Sequence, residues 1–164
     1  MIGIAICHHK DNKKFLEDLV ISLGELPYKI YEDGIDRIKD SYEIGAINEA
    51  RKDFDNFILL QDTCLIKDTD KLIEILNKSG NIAFSDNFFH YIGKYQTDLL
   101  PQLPENKSKD DSITNEAFWS KIIGNFSYIE NPLKITTNVF EDRHGRKNMV
   151  LENDFIIKYK NRYE

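Results

Sequence analysis

The chain opens on a short, almost fully apolar run from Ile2 to Cys7 that is rich in β-branched residues. Such a run reads as a central parallel strand buried on both faces. Asp11 then offers an N-cap, and Phe15, Leu16, Leu19, Val20 and Leu23 recur at helical spacing before Gly24 closes the helix. Pro27 leads into a second short strand, Tyr28 to Tyr31, which ends in Glu32-Asp33-Gly34. The opening segment therefore predicts a β-α-β unit. A second helix is expected from about Ser41 to Lys52, with Ile44, Ala46 or Ile47, and Ala50 facing inward. Phe57-Ile58-Leu59-Leu60 is a third buried strand, ending in the polar group Gln61-Asp62-Thr63. Asp68 or Thr69 caps a helix carrying Leu72, Ile73 and Leu76, with Gly80 after its end, and Ile82-Ala83-Phe84 reads as a fourth strand.

The second half is less regular. Tyr91 to Tyr95 reads as an edge strand, and Leu100 to Asp111, with two prolines and many charges, reads as a flexible loop. Ser112 or Thr114 caps a helix holding Ala117, Phe118, Trp119 and Ile122, closed by Gly124. Ile129 to Ile135 suggests another strand, Glu141 to Lys147 a charged loop, and Phe155-Ile156-Ile157 with Tyr159 a last apolar segment. Strands alternating with helices predict a single-domain α/β fold: a mostly parallel central sheet with helices on both faces and right-handed crossovers. Ligands of such sheets bind beyond the carboxyl ends of the strands. That rule selects His8-His9, Glu32-Asp33 and Gln61-Asp62-Thr63 as candidate site residues.

Composition narrows the functional classes. At 164 residues, 41% apolar and 30% charged, the chain can bury one core without staples. A net charge of −6 disfavours a generic nucleic-acid binder, although a local positive site for an anionic small ligand is compatible with it. The two cysteines, Cys7 and Cys64, sit in or beside apolar runs without metal-type spacing, and read as buried free thiols of a reducing compartment. The N-terminal run is too short for a membrane helix and lacks the features of a signal peptide. The expectation is a cytoplasmic protein, of a cell or of an infected host, without a membrane span.

Several groups have the chemistry for a site. Asp62, at the tip of a central strand, can hold a divalent ion that bridges a diphosphate, or can serve as a turn residue accepting backbone hydrogen bonds. Asp33 can accept from a base or ribose, or form part of an Asp-Gly turn. Gly45, Ala46, Asn48 and Arg51 share a helix on which small residues permit close approach and Arg51 can reach a phosphate; taken singly, each is better explained by plain packing or, for Arg51, by solvation. Arg143, His144, Arg146 and Lys147 form the densest basic cluster, able to clamp a diphosphate or to lie in solvent, and neutral His144 can ligate a metal. His8 and His9 can line a nucleotide pocket. Asp110, Asp111 and Glu116 are acids at a helix start, suited to capping or to acting as a base.

Taken together and in order, Ile2–Cys7, Tyr31-Glu32-Asp33, Gly45-Ala46-Ile47-Asn48-Glu49-Ala50-Arg51 and Phe57-Ile58-Leu59-Leu60-Gln61-Asp62-Thr63 resemble the GT-A glycosyltransferases, especially the family-2-like members. The resemblance covers roughly residues 1 to 100. It implies a nucleotide-sugar-binding half over 1–100 and a reduced acceptor half over 101–164, and Glu141 to Asn148 looks like the family's C-terminal diphosphate loop. It further implies a nucleoside-diphosphate sugar as donor, with His8, Asp33, Asn48, Arg51, Gln61, Arg143 and Arg146 around it. Asp62 and His144 would hold Mn²⁺ or Mg²⁺, and an acid such as Asp111 or Glu116 would act as base if the enzyme inverts. The motif Gln61-Asp62-Thr63 has one acid where the family's pattern has two, and fewer charged ligands hold such ions more weakly.

On this reading the protein moves a sugar to an acceptor hydroxyl. The alternative is a degenerate GT-A domain that binds nucleotide or a partner without catalysis. A nucleotidyltransferase, P-loop or dinucleotide-binding protein needs a glycine-rich loop after its first strand, where this chain reads Cys7-His8-His9-Lys10-Asp11.

Overall fold

Residues 1–85, 91–116, 118–141 and 147–162 are described by a computed structural model. β1 (Ile2–His8) leads through a 3₁₀ turn into α1 (Lys13–Leu23), followed by β2 (Tyr28–Glu32), α2 (Tyr42–Asp53) and β3 (Asn56–Gln61). β4 (Cys64–Ile66), α3 (Thr69–Leu76), β5 (Ile82–Ala83) and β6 (Gly93–Gln96) come next. The remainder is α4 (Lys109–Glu116), α5 (Trp119–Ile123), β7 (Ser127–Tyr128), β8 (Lys134–Glu141), β9 (Lys147–Glu152) and β10 (Ile156–Arg162).

The apolar run of β1 forms an interior strand of a six-stranded sheet of order β2-β1-β3-β6-β5-β7. β1 pairs in parallel with β2 and β3, in a register that sets Cys7 beside both Tyr31 and Gln61. Because side chains alternate across a strand, Ile4 and Ile6 point to one face and Ala5 and Cys7 to the other. The first face packs with Ile58 and Leu60 against Leu19 and Leu23 of α1 and Leu72, Ile75 and Leu76 of α3. The second packs with Phe57 and Leu59 against Ile44, Ile47 and Ala50 of α2. Helices thus cover both faces of an α/β sheet.

The sheet is mostly but not purely parallel: β1, β2, β3, β5 and β7 share one direction, and β6 runs antiparallel to both β3 and β5. Nor is the Tyr91–Tyr95 stretch an edge strand, since β6 lies between β3 and β5. The cause is length. Nine residues separate Ala83 from Gly93, and a parallel crossover needs a dozen or more. Gly93 permits the tight pairing, because a Cβ there would collide with the carbonyl of Ile82.

Other departures are local. Asp11 does not cap α1; it lies within the turn Lys10–Asn12, where its backbone N–H donates to His9 Nδ1 at 3.3 Å. Asp68 does cap α3, accepting from the Lys71 N–H at 3.1 Å. The expected helix after Ser112 is two helices, α4 and α5, the second closed by Gly124 at φ +73°. The 100–108 segment is not a free loop: Leu100, Leu103 and Asn106 are buried. The C-terminal segments form an antiparallel sheet of order β4-β10-β9-β8, and β4 directly follows the tip of β3. Among the described residues, no helix is long and apolar enough to cross a membrane.

Candidate functional site

From β1 the chain crosses to β2 on one side, and after α2 it enters β3 on the other. The carboxyl ends of β1 and β3 therefore flank a topological switch point, where an open α/β sheet leaves a crevice for ligand. Four of the sequence-predicted residues meet there: His8, Asp33, Gln61 and Asp62.

Asp62 is 4% exposed and fully engaged. Its Oδ2 accepts from His8 Nδ1 and from the His9 backbone N–H, both at 2.9 Å, and its Oδ1 accepts from Asn12 Nδ2 at 3.0 Å. Its own N–H donates to the Cys7 carbonyl at 3.0 Å. The carboxylate thus ties the end of β1, and the turn after it, to the end of β3.

Arg37 performs the same task between β1 and β2. Its Nη1 donates to Asp33 Oδ1 at 2.7 Å, its Nη2 to the His8 carbonyl at 3.0 Å and its Nε to the Tyr31 carbonyl at 3.1 Å. The Asp33 and Arg37 side chains are only 9% and 2% exposed. Asp33 Oδ1 also accepts from the Asp40 N–H at 2.8 Å. The Asp-Gly turn and the buried carboxylate are therefore both present, with Gly34 at φ +71°.

Gln61 donates through Nε2 to Glu43, a half-buried carboxyl in the first turn of α2. Burial pushes the Glu43 carboxyl above the usual range, opposed by its own backbone N–H and by the cations Lys158 and Arg37. Lys158 reaches the same place from β10: its Nζ donates to Thr63 Oγ1 at 2.5 Å and to the Tyr159 carbonyl at 3.2 Å. Burial also pushes up the two thiols, Cys64 to about 11, which leaves them protonated and unreactive at neutral pH.

The start of α4 borders this edge, because Ser112 Oγ donates to the Asp40 carbonyl at 2.7 Å and Tyr91 Oη to the Asn115 carbonyl at 2.8 Å. Asp111, exposed on α4, accepts from the Lys107 N–H at 3.1 Å, a capping bond. Glu116 is half-buried, and its charge acts on the Tyr91 hydroxyl. Asp40, Tyr42 and Tyr91 have φ of +59°, +49° and +52°. Such left-handed non-glycine residues are costly and gather at functional sites.

Asn48 and Arg51 are placed elsewhere. α2 runs back from the carboxyl edge, and Arg51, in its last turn, donates to the carbonyls of Pro101 at 2.9 Å and Leu100 at 3.0 Å. Asn48 Nδ2 donates to the Pro104 carbonyl at 3.2 Å. Both pin the 100–104 segment along α2, beside a groove of about 490 Å³. Arg143, His144 and Arg146 lie outside the described residues.

Sequence reasoning missed Arg37, Glu43, Asn12 and Lys158. Arg37 follows Asp33 by four residues, a spacing that favours pairing, and Lys158 interrupts an apolar run in a strand. Nothing local announces Glu43 or Asn12, whose partners are distant in sequence.

Among the described residues there is no group of three or more His, Cys, Asp or Glu side chains placed to hold a metal ion, and both oxygens of Asp62 accept protein N–H bonds. Comparison of the chain with family models, with curated proteins and with solved structures found no match.

Proposed function

We propose that the chain binds a nucleoside-diphosphate sugar in the crevice outside the carboxyl ends of β1 and β3, and acts as a GT-A-type glycosyltransferase. The observation that carries this reading is the convergence of His8, Asp33, Gln61 and Asp62 at one switch-point edge. Asp33, oriented by Arg37, would accept from ribose or base. His8 and His9, fixed by Asp62, would shape the floor beneath the diphosphate. In the transfer, the anomeric carbon–phosphate oxygen bond breaks and the diphosphate leaves with its electron pair. The acceptor hydroxyl oxygen bonds to the anomeric carbon, and its proton goes to a base if configuration inverts. Asp111 and Glu116 sit on α4, which borders this edge, and Glu116 is the better buried of the two.

A second reading, binding without catalysis, is favoured by the engagement of Asp62 in three internal hydrogen bonds. Release of nucleoside diphosphate from a panel of UDP-, GDP-, CDP- and TDP-sugars separates the two. Turnover of one donor supports the transferase, whereas donor binding with no release over hours supports the binding module.

A further inference from the structure

Lys158 is 4% exposed, yet no carboxylate lies within ion-pair distance of it among the described residues. Its described partners are both neutral, the Thr63 hydroxyl and the Tyr159 carbonyl, and they use two of its three N–H donors. A buried cation without a counter-charge is expensive, and buried charges are ordinarily paired. Glu43 acts on it only at longer range, across the tip of β3. The register of β10 on β4, with Lys158 opposite Cys64, delivers the ammonium to the residue directly after Asp62. There the Thr63 hydroxyl accepts from it, just past the end of β3. Asp62, by contrast, has both oxygens occupied.

From this we infer that Lys158 is the counter-charge for a diphosphate bound at the β3 tip, so that the anion is held by a fixed ammonium and does not require a divalent ion. The identity of the anion rests on the nucleoside-diphosphate-sugar reading above; the need for an anion rests on Lys158 alone. The same group would offset the charge that develops on a departing diphosphate.

Calorimetric titration of the whole chain with inorganic pyrophosphate and with nucleoside diphosphates, in EDTA and in Mn²⁺, tests this. Wild type binds pyrophosphate in EDTA, and Lys158→Met weakens that binding by about 10- to 100-fold, the range for a hydrogen bond to a charged group. A cooperative melting transition of the unliganded variant shows that it is folded. Binding that requires Mn²⁺, wild-type affinity in Lys158→Met, or no pyrophosphate binding under any condition overturns the proposal. If pyrophosphate binds through Lys158 but no nucleoside diphosphate binds more tightly, the nucleotide reading fails and the anion site stands. Nucleoside diphosphate binding that ignores Lys158 has the opposite meaning. Should Lys158→Met not fold, the Lys158 ammonium resonance of wild type, assigned by its loss in Lys158→Arg, reads the same contact. It shifts on adding pyrophosphate in EDTA, and an unmoved resonance overturns the proposal.

Discussion

His8 Nδ1 lies 2.9 Å from Asp62 Oδ2, joining two residues that are 54 positions apart in sequence and end adjacent parallel strands. The pair ties the two strand ends together at the switch point. It makes Asp62 part of the frame of the site, since every donor on its carboxylate comes from β1 or the turn that follows.

Asp62→Ala would leave His8, the His9 N–H and Asn12 without their acceptor. Buried donors left unpaired cost about 1–3 kcal/mol each, so the variant should lose about 2–4 kcal/mol, and Asp62→Asn less. Urea unfolding checks this. An Asp62→Ala protein as stable as wild type would mean that the carboxylate is held free for a ligand.

Arg37→Met strands the buried Asp33 carboxylate and two carbonyls. Breaking one side of a buried pair costs about 3–5 kcal/mol, and the double change Asp33→Asn with Arg37→Met should recover part of it. A double-mutant cycle in urea with no coupling would remove the pair from the framework of the site.

The fold of the first half was legible because its signals are local. The apolar run of β1, the helical spacing from Phe15 to Leu23, and Asp68 before α3 each specify one element. The interior position of β6 was not, because Gly93-Lys94-Tyr95-Gln96 looks like an edge and its place is set by pairing with β3 and β5. The short span from Ala83 to Gly93 did hold the clue to antiparallel pairing. The C-terminal sheet was hidden for a related reason: β4 has three residues and gains its partner, β10, from ninety positions away. The strand-end rule selected His8, Asp33, Gln61 and Asp62, and the fold brings these four to one edge of the sheet. It could not find Glu43 or Lys158, which arrive from other elements. Arg51 was selected because its residue type suits a phosphate, while helix direction carries it away from the strand ends to the Pro101 and Leu100 carbonyls.

Gly45→Ala tests how tightly α2 is seated. Alanine favours a helix over glycine by about 1 kcal/mol, but a Cβ at this position would collide with the Ser41 side chain. The variant should therefore lose about 1–3 kcal/mol, the usual range for overpacking. Gly45→Ala combined with Ser41→Gly should recover most of the loss. A Gly45→Ala protein more stable than wild type would contradict the packing at the start of α2.

Glu43 gives a pH signature whose sign is fixed. Its carboxyl titrates above 4.5 in the folded protein and near 4.5 unfolded. Above pH 4.5 the unfolded chain therefore binds fewer protons at this group, and its contribution to stability falls as pH rises toward the folded value. Glu43→Gln, which can still accept from Gln61, should be more stable than wild type at pH 7, with the difference vanishing below about pH 4.5. Melting curves from pH 4 to 8 report it; a gap that widens toward acid would reverse the assignment.

The most direct test of the central claim is thermal unfolding of the wild-type chain with UDP, GDP, CDP or TDP, each with Mn²⁺ or EDTA. A ligand at a hundred times its dissociation constant stabilises by about 2.7 kcal/mol, which moves the midpoint by several degrees in a domain of this size. The account predicts a shift for one nucleoside diphosphate that persists in EDTA. No shift with any of them, in either condition, would contradict a nucleotide site at the β1–β3 crevice.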